Sequence, residues 1–258
     1  MTGHRMGVRR TVTAAVVALA ALTVTSGTAA HADDDIGSLS AQEIADRSRD
    51  AFLDVDSLHL TTRGDLGRAD SSMTLDLVLD RDGNCAGGVD LGDDEGSVKI
   101  IKRGDDVWLK PDSAFWKNQV PIGGSAFEAI LDGRYMKGSA TDPRLRTVSD
   151  ACDLDTFREL VTDNAKSGAG RGTLVKGEET ELAGSPVIPV VRTTGDRTLT
   201  LYVATEGKPY PVRLTVKGPS ADAVVGFSAF DKPVPAATPS ADETVDVSAL
   251  LGRTTSPV

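Results

Sequence analysis

The sequence predicts an α+β fold: a single, strongly curved antiparallel sheet of about 10–11 strands wrapped around a few helices. Three observations carry this expectation. A 3.6-residue apolar period over residues 40–53 gives way at Leu58 to alternation with period 2. The alternating segments follow one another through short turns, without the strand–helix–strand rhythm of a parallel sheet. Helical stretches are too few to cover both faces of such a sheet, and a flat sheet of about ten strands tends to curl.

The elements follow in order. Arg5, Arg9 and Arg10 precede an apolar run from Val12 to Val24, and small residues end at Ala30-His31-Ala32. This pattern predicts a secretory signal peptide over 1–32, cleaved between Ala32 and Asp33. An uncleaved anchor is the competing reading, but the run is short for a membrane span of about 20 residues. The Arg9-Arg10 pair leaves Sec and twin-arginine export both open. No Cys follows the run, so the expected protein is secreted or extracytoplasmic, in the cell envelope, and not lipid-anchored.

Residues 33–39 are an acidic start, expected to be mobile. The domain proper is expected over 40–232. Ser40-Ala41-Gln42-Glu43 is a capping box, and Ile44, Ser48, Ala51, Phe52 and Val55 share one face of the helix that follows. Strands are expected around Leu58–Thr61, Met73–Asp80, Val89–Leu91, Val98–Ile101 and Val107–Leu109. They are joined by turns at Arg81-Asp82-Gly83-Asn84, Gly92–Gly96 and Gly104-Asp105-Asp106. Residues 111–165 form a helical insert: a piece bearing Phe115 and Trp116, a helix from Ser125 to Leu131, an exposed loop over 133–143 and an amphipathic helix from Cys152 to Ala165. Strands resume at Thr173–Val175, Val187–Arg192, Thr198–Ala204, Val212–Val216 and Val224–Phe230. The Pro-rich tail, 233–258, is expected to be extended and loosely held.

Composition narrows the function. Lys and Arg number 28 against 38 Asp and Glu, a net charge of −10, and the first 32 residues hold three of the cations and no acid. Such a balance argues against nucleic acid as a partner, because backbone binding needs clustered cations. Beyond residue 32 only His59 remains, so no multi-His metal site is expected and a Ser-His-Asp triad has one candidate base. His59 alternates with Leu58 and Leu60, which points it to solvent. The acidic pairs Asp93-Asp94, Asp105-Asp106 and Glu178-Glu179 lack calcium-loop spacing, and GxSxG, P-loop and HExxH motifs are all missing. The protein is therefore expected to be no enzyme, with no cofactor and no metal. In an exported protein, Cys85 and Cys152 are expected to form one structural disulfide, since C-x-x-C redox spacing is absent.

Val107-Trp108-Leu109-Lys110 with Phe115-Trp116, the stretch Gly177–Gly184 and above all the stretch Leu201–Arg213 resemble one family. It is the LolA-like superfamily, specifically the actinobacterial LppX/LprG-type lipoproteins, without their lipobox Cys. The resemblance covers about 40–232. It implies an eleven-stranded half-barrel enclosing a hydrophobic cavity that holds acyl chains of lipids or glycolipids in transit. Candidate inward residues, read from the alternation, are Met73, Leu75, Leu77, Val98, Ile100, Val107, Leu109, Leu199, Leu201, Val203, Leu214 and Val216. The same alternation also builds a filled core, so the residues alone leave cavity and core open. Trp108 and Trp116 fit either a cavity mouth or packing anchors. The expected function is a secreted, monomeric, non-enzymatic binder or carrier of lipids or other hydrophobic molecules, with a transient envelope partner. The alternative is an envelope sensor or protein-interaction domain on the same fold, with a closed cavity and an exposed apolar patch.

Overall fold

The computed structural model describes residues 35–65, 73–92, 94–159, 173–219 and 221–247. The expected signal peptide, its cleavage site at Ala32 and Asp33, and the helical positions Leu160 to Ala165 lie outside them.

The chain first forms helix α1 (Ala41–Leu53), fixed at both ends. At its start the Ser40 hydroxyl accepts from the Glu43 N–H, while the Glu43 carboxylate accepts from the Ser40 N–H at 2.9 Å, the reciprocal box its sequence predicts. At its end the Arg81 guanidinium donates to the carbonyls of Leu53 and Val55, at 3.1 and 3.0 Å, which offsets the negative pole of the helix. Strands β1 (Ser57–Asp65), β2 (Thr74–Asp80), β3 (Cys85–Asp90), β4 (Ser97–Arg103) and β5 (Asp106–Pro111) then form an antiparallel meander. The insert carries α2 (Ser113–Gln119), α3 (Gly124–Leu131), β6 (Tyr135–Ser139), α4 (Arg146–Ala151) and α5 (154–159). Short β7 (Leu174–Lys176) and β8 (Thr180–Leu182) precede the second meander: β9 (Ser185–Thr194), β10 (Arg197–Ala204), β11 (Pro211–Gly218) and β12 (Ala221–Ser228).

The two meanders join because β12 pairs antiparallel with β1. Together with β13 (Thr244–Asp246) they make one 13-stranded sheet, in the order β13-β6-β5-β4-β3-β2-β1-β12-β11-β10-β9-β7, with β8 beside β9. Inward residues fall into one row: Leu60 faces Leu77, Leu77 faces Gly87, Gly87 faces Ile100, Ile100 faces Leu109, and Leu109 faces Met136. Gly87 is required there. Its φ is +152°, and a Cβ would stand 2.0 Å from the Asp76 carbonyl oxygen.

Two clusters hold the fold. The larger joins Phe52 and Val55 of α1 and its exit to Leu58, Leu77, Leu79, Ile100, Val107 and Leu154. The smaller packs Ile36 and Ile44 on Ile188, Val190 and Val203. Cys85, at the start of β3, and Cys152, after α4, are disulfide-bonded with Cα atoms 5.3 Å apart, and both are fully buried in the larger cluster.

Several elements depart from expectation. Residues 35–39 are held: Ile36–Ser38 is a 3-10 turn capped by Asp35, and buried Ile36 supplies an anchor that the acidic composition concealed. The expected exposed loop over 133–143 contains β6, because the free edge of β5 offers its Tyr135-Met136 stretch a partner. The helix expected from Cys152 begins at residue 154, and a separate short helix, α4, precedes it. Cys152 ends α4, and Asp153 starts α5, its carboxylate accepting the Asp155 N–H at 2.9 Å. The segment expected to be a loose tail supplies β13, parallel to β6, and Val247 beyond it is buried.

The disulfide closes a loop of 67 residues, worth about 4 kcal/mol in the chain-entropy model. The oxidised chain should show no titratable thiol. The Cys85→Ala/Cys152→Ala chain should lose most of that free energy in urea denaturation. Equal unfolding midpoints for the two proteins would contradict this role.

Candidate functional site

The inner face of the sheet is not uniformly filled. Its middle, at β2 to β5, is packed solid: Leu77 and Val107 have no exposure, and Val98 and Ile100 very little. On either side of this filled strip lies an apolar cavity.

The first, about 410 Å3, lies between α1, α5 and the strands β1, β2, β10, β11 and β12. Helix α1 reaches it because the period that buries Ile44 also brings Ser48 and Phe52 onto the sheet side. Phe52 meets Phe227 of β12 edge to face, ring centres 5.7 Å apart. Leu60, Leu75, Leu201, Leu214, Val225 and Phe227 supply the sheet wall, Phe157 comes from α5, and Met73 lies at the start of β2. Three polar side chains interrupt this lining: Ser48, Arg49 and Thr62, whose hydroxyl accepts from the Leu75 N–H at 3.2 Å. Ser48 is fully buried, and its hydroxyl has no hydrogen-bond partner among the described residues. Arg49 is one-third exposed and bonds Asp46 at 2.8 Å and Asp50 at 3.1 Å. The cavity is thus apolar inside and charged at one edge, with a volume near the lower end of small-molecule sites, about 300–1,000 Å3.

The second cavity, about 310 Å3, lies under α2 and α3 against β5 and β6, lined by Leu109, Trp116, Phe127, Ile130, Met136 and Leu145 among others. A third depression, about 450 Å3, is larger but polar. Arg81, Lys102 and Arg146 share it with Asp82, Asp150, Asp153 and Asp155, so its charges largely offset one another and its wall is mainly polar.

The twelve residues expected on the cavity wall therefore separate. Met73, Leu75, Leu201 and Leu214 meet at the first cavity, and Leu109 lines the second. Leu77, Val98, Ile100 and Val107 fill the strip between, and Val203 belongs to the smaller cluster. Val216 is buried and Leu199 half-buried, and neither lines a cavity described above. The wall residues missed were on α1 and on the strands where the meanders meet: Ser48, Phe52, Leu60, Val225 and Phe227. Their periodicity was legible; the pairing of β1 with β12, which brings them together, was not. Trp116 stacks on Phe127 at 6.2 Å, whereas Trp108 lies on the opposite sheet face, with the Lys137 ammonium 5.3 Å from its ring centre.

His59 stands on the outer face. Its Nε2 pairs with Asp76 Oδ1 at 2.7 Å and its Nδ1 meets the Ser228 hydroxyl at 3.3 Å. The three residue types of a hydrolytic triad are thus adjacent. They sit on exposed strand faces, and the neighbouring backbone is engaged in the ladders joining β1 to β2 and β12, which leaves no pair of N–H groups aimed at an oxyanion. Among the described residues no group of three or more His, Cys, Asp or Glu could hold a metal ion. None of the described helices is long and apolar enough to cross a membrane.

Known structures share this architecture. LprF from Mycobacterium bovis superposes with a TM-score of 0.53 over 78% of this chain and 97% of its own, at 14% identity. This chain shares the fold of LprF. The lipoprotein LppX of Mycobacterium tuberculosis gives a TM-score of 0.48 over 76% of this chain and 98% of its own, at 16% identity. The MucA/MucB complex of Pseudomonas aeruginosa gives 0.37 over 76% of this chain and 58% of the matched one, at 12% identity. No family model and no curated protein matches the sequence. Within this fold, the first cavity is where helix and sheet part.

The position of α1 depends on its cap, and the cap depends on pH. The hydroxyl and backbone N–H of Ser40 hold the Glu43 carboxyl below its ordinary value. A depressed carboxyl stabilises the fold above its unfolded pKa, near about 4.3, and that stabilisation is lost as pH falls through the lower folded value. Ser40→Ala should therefore lower the thermal midpoint at pH 7 and lower it less at pH 3. An equal cost at both pH values would show that the carboxylate contributes nothing.

Proposed function

We propose that this protein is an exported, non-enzymatic binder or carrier of lipids or other hydrophobic molecules. A single acyl chain or comparable apolar body enters the cavity between α1 and the sheet. The observation that carries the proposal is that cavity: about 410 Å3, walled by aliphatic and aromatic side chains from seven elements, with Arg49 at its edge. Burial of apolar area stabilises by about 25 cal/mol per Å2, or about 0.8 kcal/mol per methylene, so such a wall favours any chain that fits. The Ser48 hydroxyl, buried without a partner, favours an occupant carrying a polar atom over a pure hydrocarbon. In this reading the sheet curls as a half-barrel around its helices, the signal peptide is removed after Ala32, and the mature chain is monomeric, carries no lipid anchor and needs no cofactor. The fold shared with LprF agrees with it.

Native mass spectrometry of the chain exported from a bacterial host, followed by lipid extraction, tests the reading. A near-stoichiometric lipid supports it and names the class. A clean apo mass, with no uptake of offered fatty acid, phospholipid or glycolipid, overturns it in favour of a protein-binding domain. Filling the cavity separates binding from folding. Leu201→Trp should reduce uptake of a fluorescent fatty acid by about tenfold or more while the fold persists. Leu199→Phe, off the cavity on the same strand, should bind like the parent. Unchanged binding by a folded Leu201→Trp protein would move the site elsewhere.

A further inference from the structure

The exposed apolar side chains are unevenly distributed. Among the described residues six large ones are exposed, and three of them, Ile122, Phe127 and Ile130, fall within nine residues on α3 and the turn before it. Met73, Val175 and Val224 are scattered singly. Ile122 is 93% exposed and projects from the turn, while Phe127 and Ile130, three apart, share one helix face. Phe127 and Ile130 also line the second cavity, so apolar surface runs from the outside of α3 into it.

This projection is held firmly. Phe127 stacks on buried Trp116 of α2. Gly124, the first residue of α3, lies so close to α2 that a Cβ would stand 2.3 Å from the Trp116 carbonyl oxygen. Asp112 caps α2 by accepting the Phe115 N–H at 2.8 Å, and Ser113 bonds Glu128 across the two helices. A pair of helices braced in this way keeps its large apolar side chains outward instead of folding them in.

We propose that the α2–α3 projection docks the protein on the surface of a lipid bilayer, with Ile122, Phe127 and Ile130 entering the apolar layer. One feature selects a bilayer over a second copy of the chain: three side chains offer far less than the roughly 800 Å2 per partner that a stable protein interface buries, whereas a projecting Ile and Phe suit a fluid apolar medium. The attraction is apolar and not electrostatic, since residues 112–132 carry Lys117 against Asp112, Glu128 and Asp132. This inference is independent of what occupies the first cavity, since docking requires no cargo.

Vesicle flotation of the exported protein tests it, with the amino terminus verified by mass and vesicles of phosphatidylcholine and phosphatidylglycerol. The parent should float with the vesicles, and the Ile122→Ser/Phe127→Ser/Ile130→Ser chain should lose binding by about tenfold or more. Val224→Ser, an exposed change elsewhere, should leave binding intact. A second readout needs no change in the projection. In the Trp108→Phe chain Trp116 is the remaining tryptophan, and brominated acyl chains should quench it through its stack with Phe127. A parent that stays with the aqueous phase, a triple variant that floats equally, or Trp116 emission untouched by bromine would overturn the proposal. So would a dimer in light scattering that the triple change dissolves, which would assign the patch to a second copy.

Discussion

The apolar face of the sheet runs from Ile188 in β9 to Met136 in β6, across ten paired strands, and the described helices are few and short. Everything else follows from how that face is covered. Burying it provides the main favourable term in folding, but α1 is 13 residues long and α2 to α4 are eight or fewer. Cover is therefore concentrated at the middle. There the end of α1 meets β1 to β5, and the disulfide ties the α4–α5 junction to β3. On either side of that strip the elements part from the sheet, and each gap is an apolar cavity.

The placement of α1 sets the first gap. Its start is held by the Ser40–Glu43 box and its end by Arg81, while Lys176 of β7 donates to the carbonyls of Gly37 and Leu39 just before it. On the β9–β10 side Ile44 closes tightly on Ile188, Val190 and Val203. One and two turns later the side chains facing the sheet are Ser48 and Phe52. A serine where an Ile or Leu would fill the space leaves volume beneath the helix, and its unpartnered hydroxyl lowers the stability of a chain that gains nothing locally from it.

Much of this was legible in the sequence. The capping box, the switch of period at Leu58, the Gly83 turn and the cysteine pair each act through local chemistry or covalent connection, and each is where it was expected. The elements that were not legible owe their form to distant partners. Tyr135–Ser139 is a strand because β5 has a free edge, and Thr244–Asp246 because β6 then has one. Alternation identified the inward face but not its depth. Leu77 and Leu75 are two residues apart on β2, yet one is sealed in the core and the other lines a cavity. What separates them is whether a helix lies close above, and that is set by tertiary packing. His59 is the converse case: its alternation placed it outside, but only the registers of β12 and β2 bring Ser228 and Asp76 to it.

An apolar gap of this size carries an energetic consequence. Residual cavities in protein cores cost about 24 cal/mol per Å3, so about 410 Å3, sealed and empty, would cost on the order of 10 kcal/mol. That is comparable to the whole stability of a typical domain, about 5–15 kcal/mol. The cavity is not sealed: its edge at Arg49 is partly exposed, so water reaches the mouth and reduces the cost without removing it. A wall of Phe and Leu with water against it is a poorer state than the same wall against a chain of methylenes. The difference is a standing drive for uptake, and it needs no specific polar recognition. Specificity, on this argument, belongs to the edge, where Arg49, Asp46 and Asp50 meet whatever polar group the occupant leaves outside.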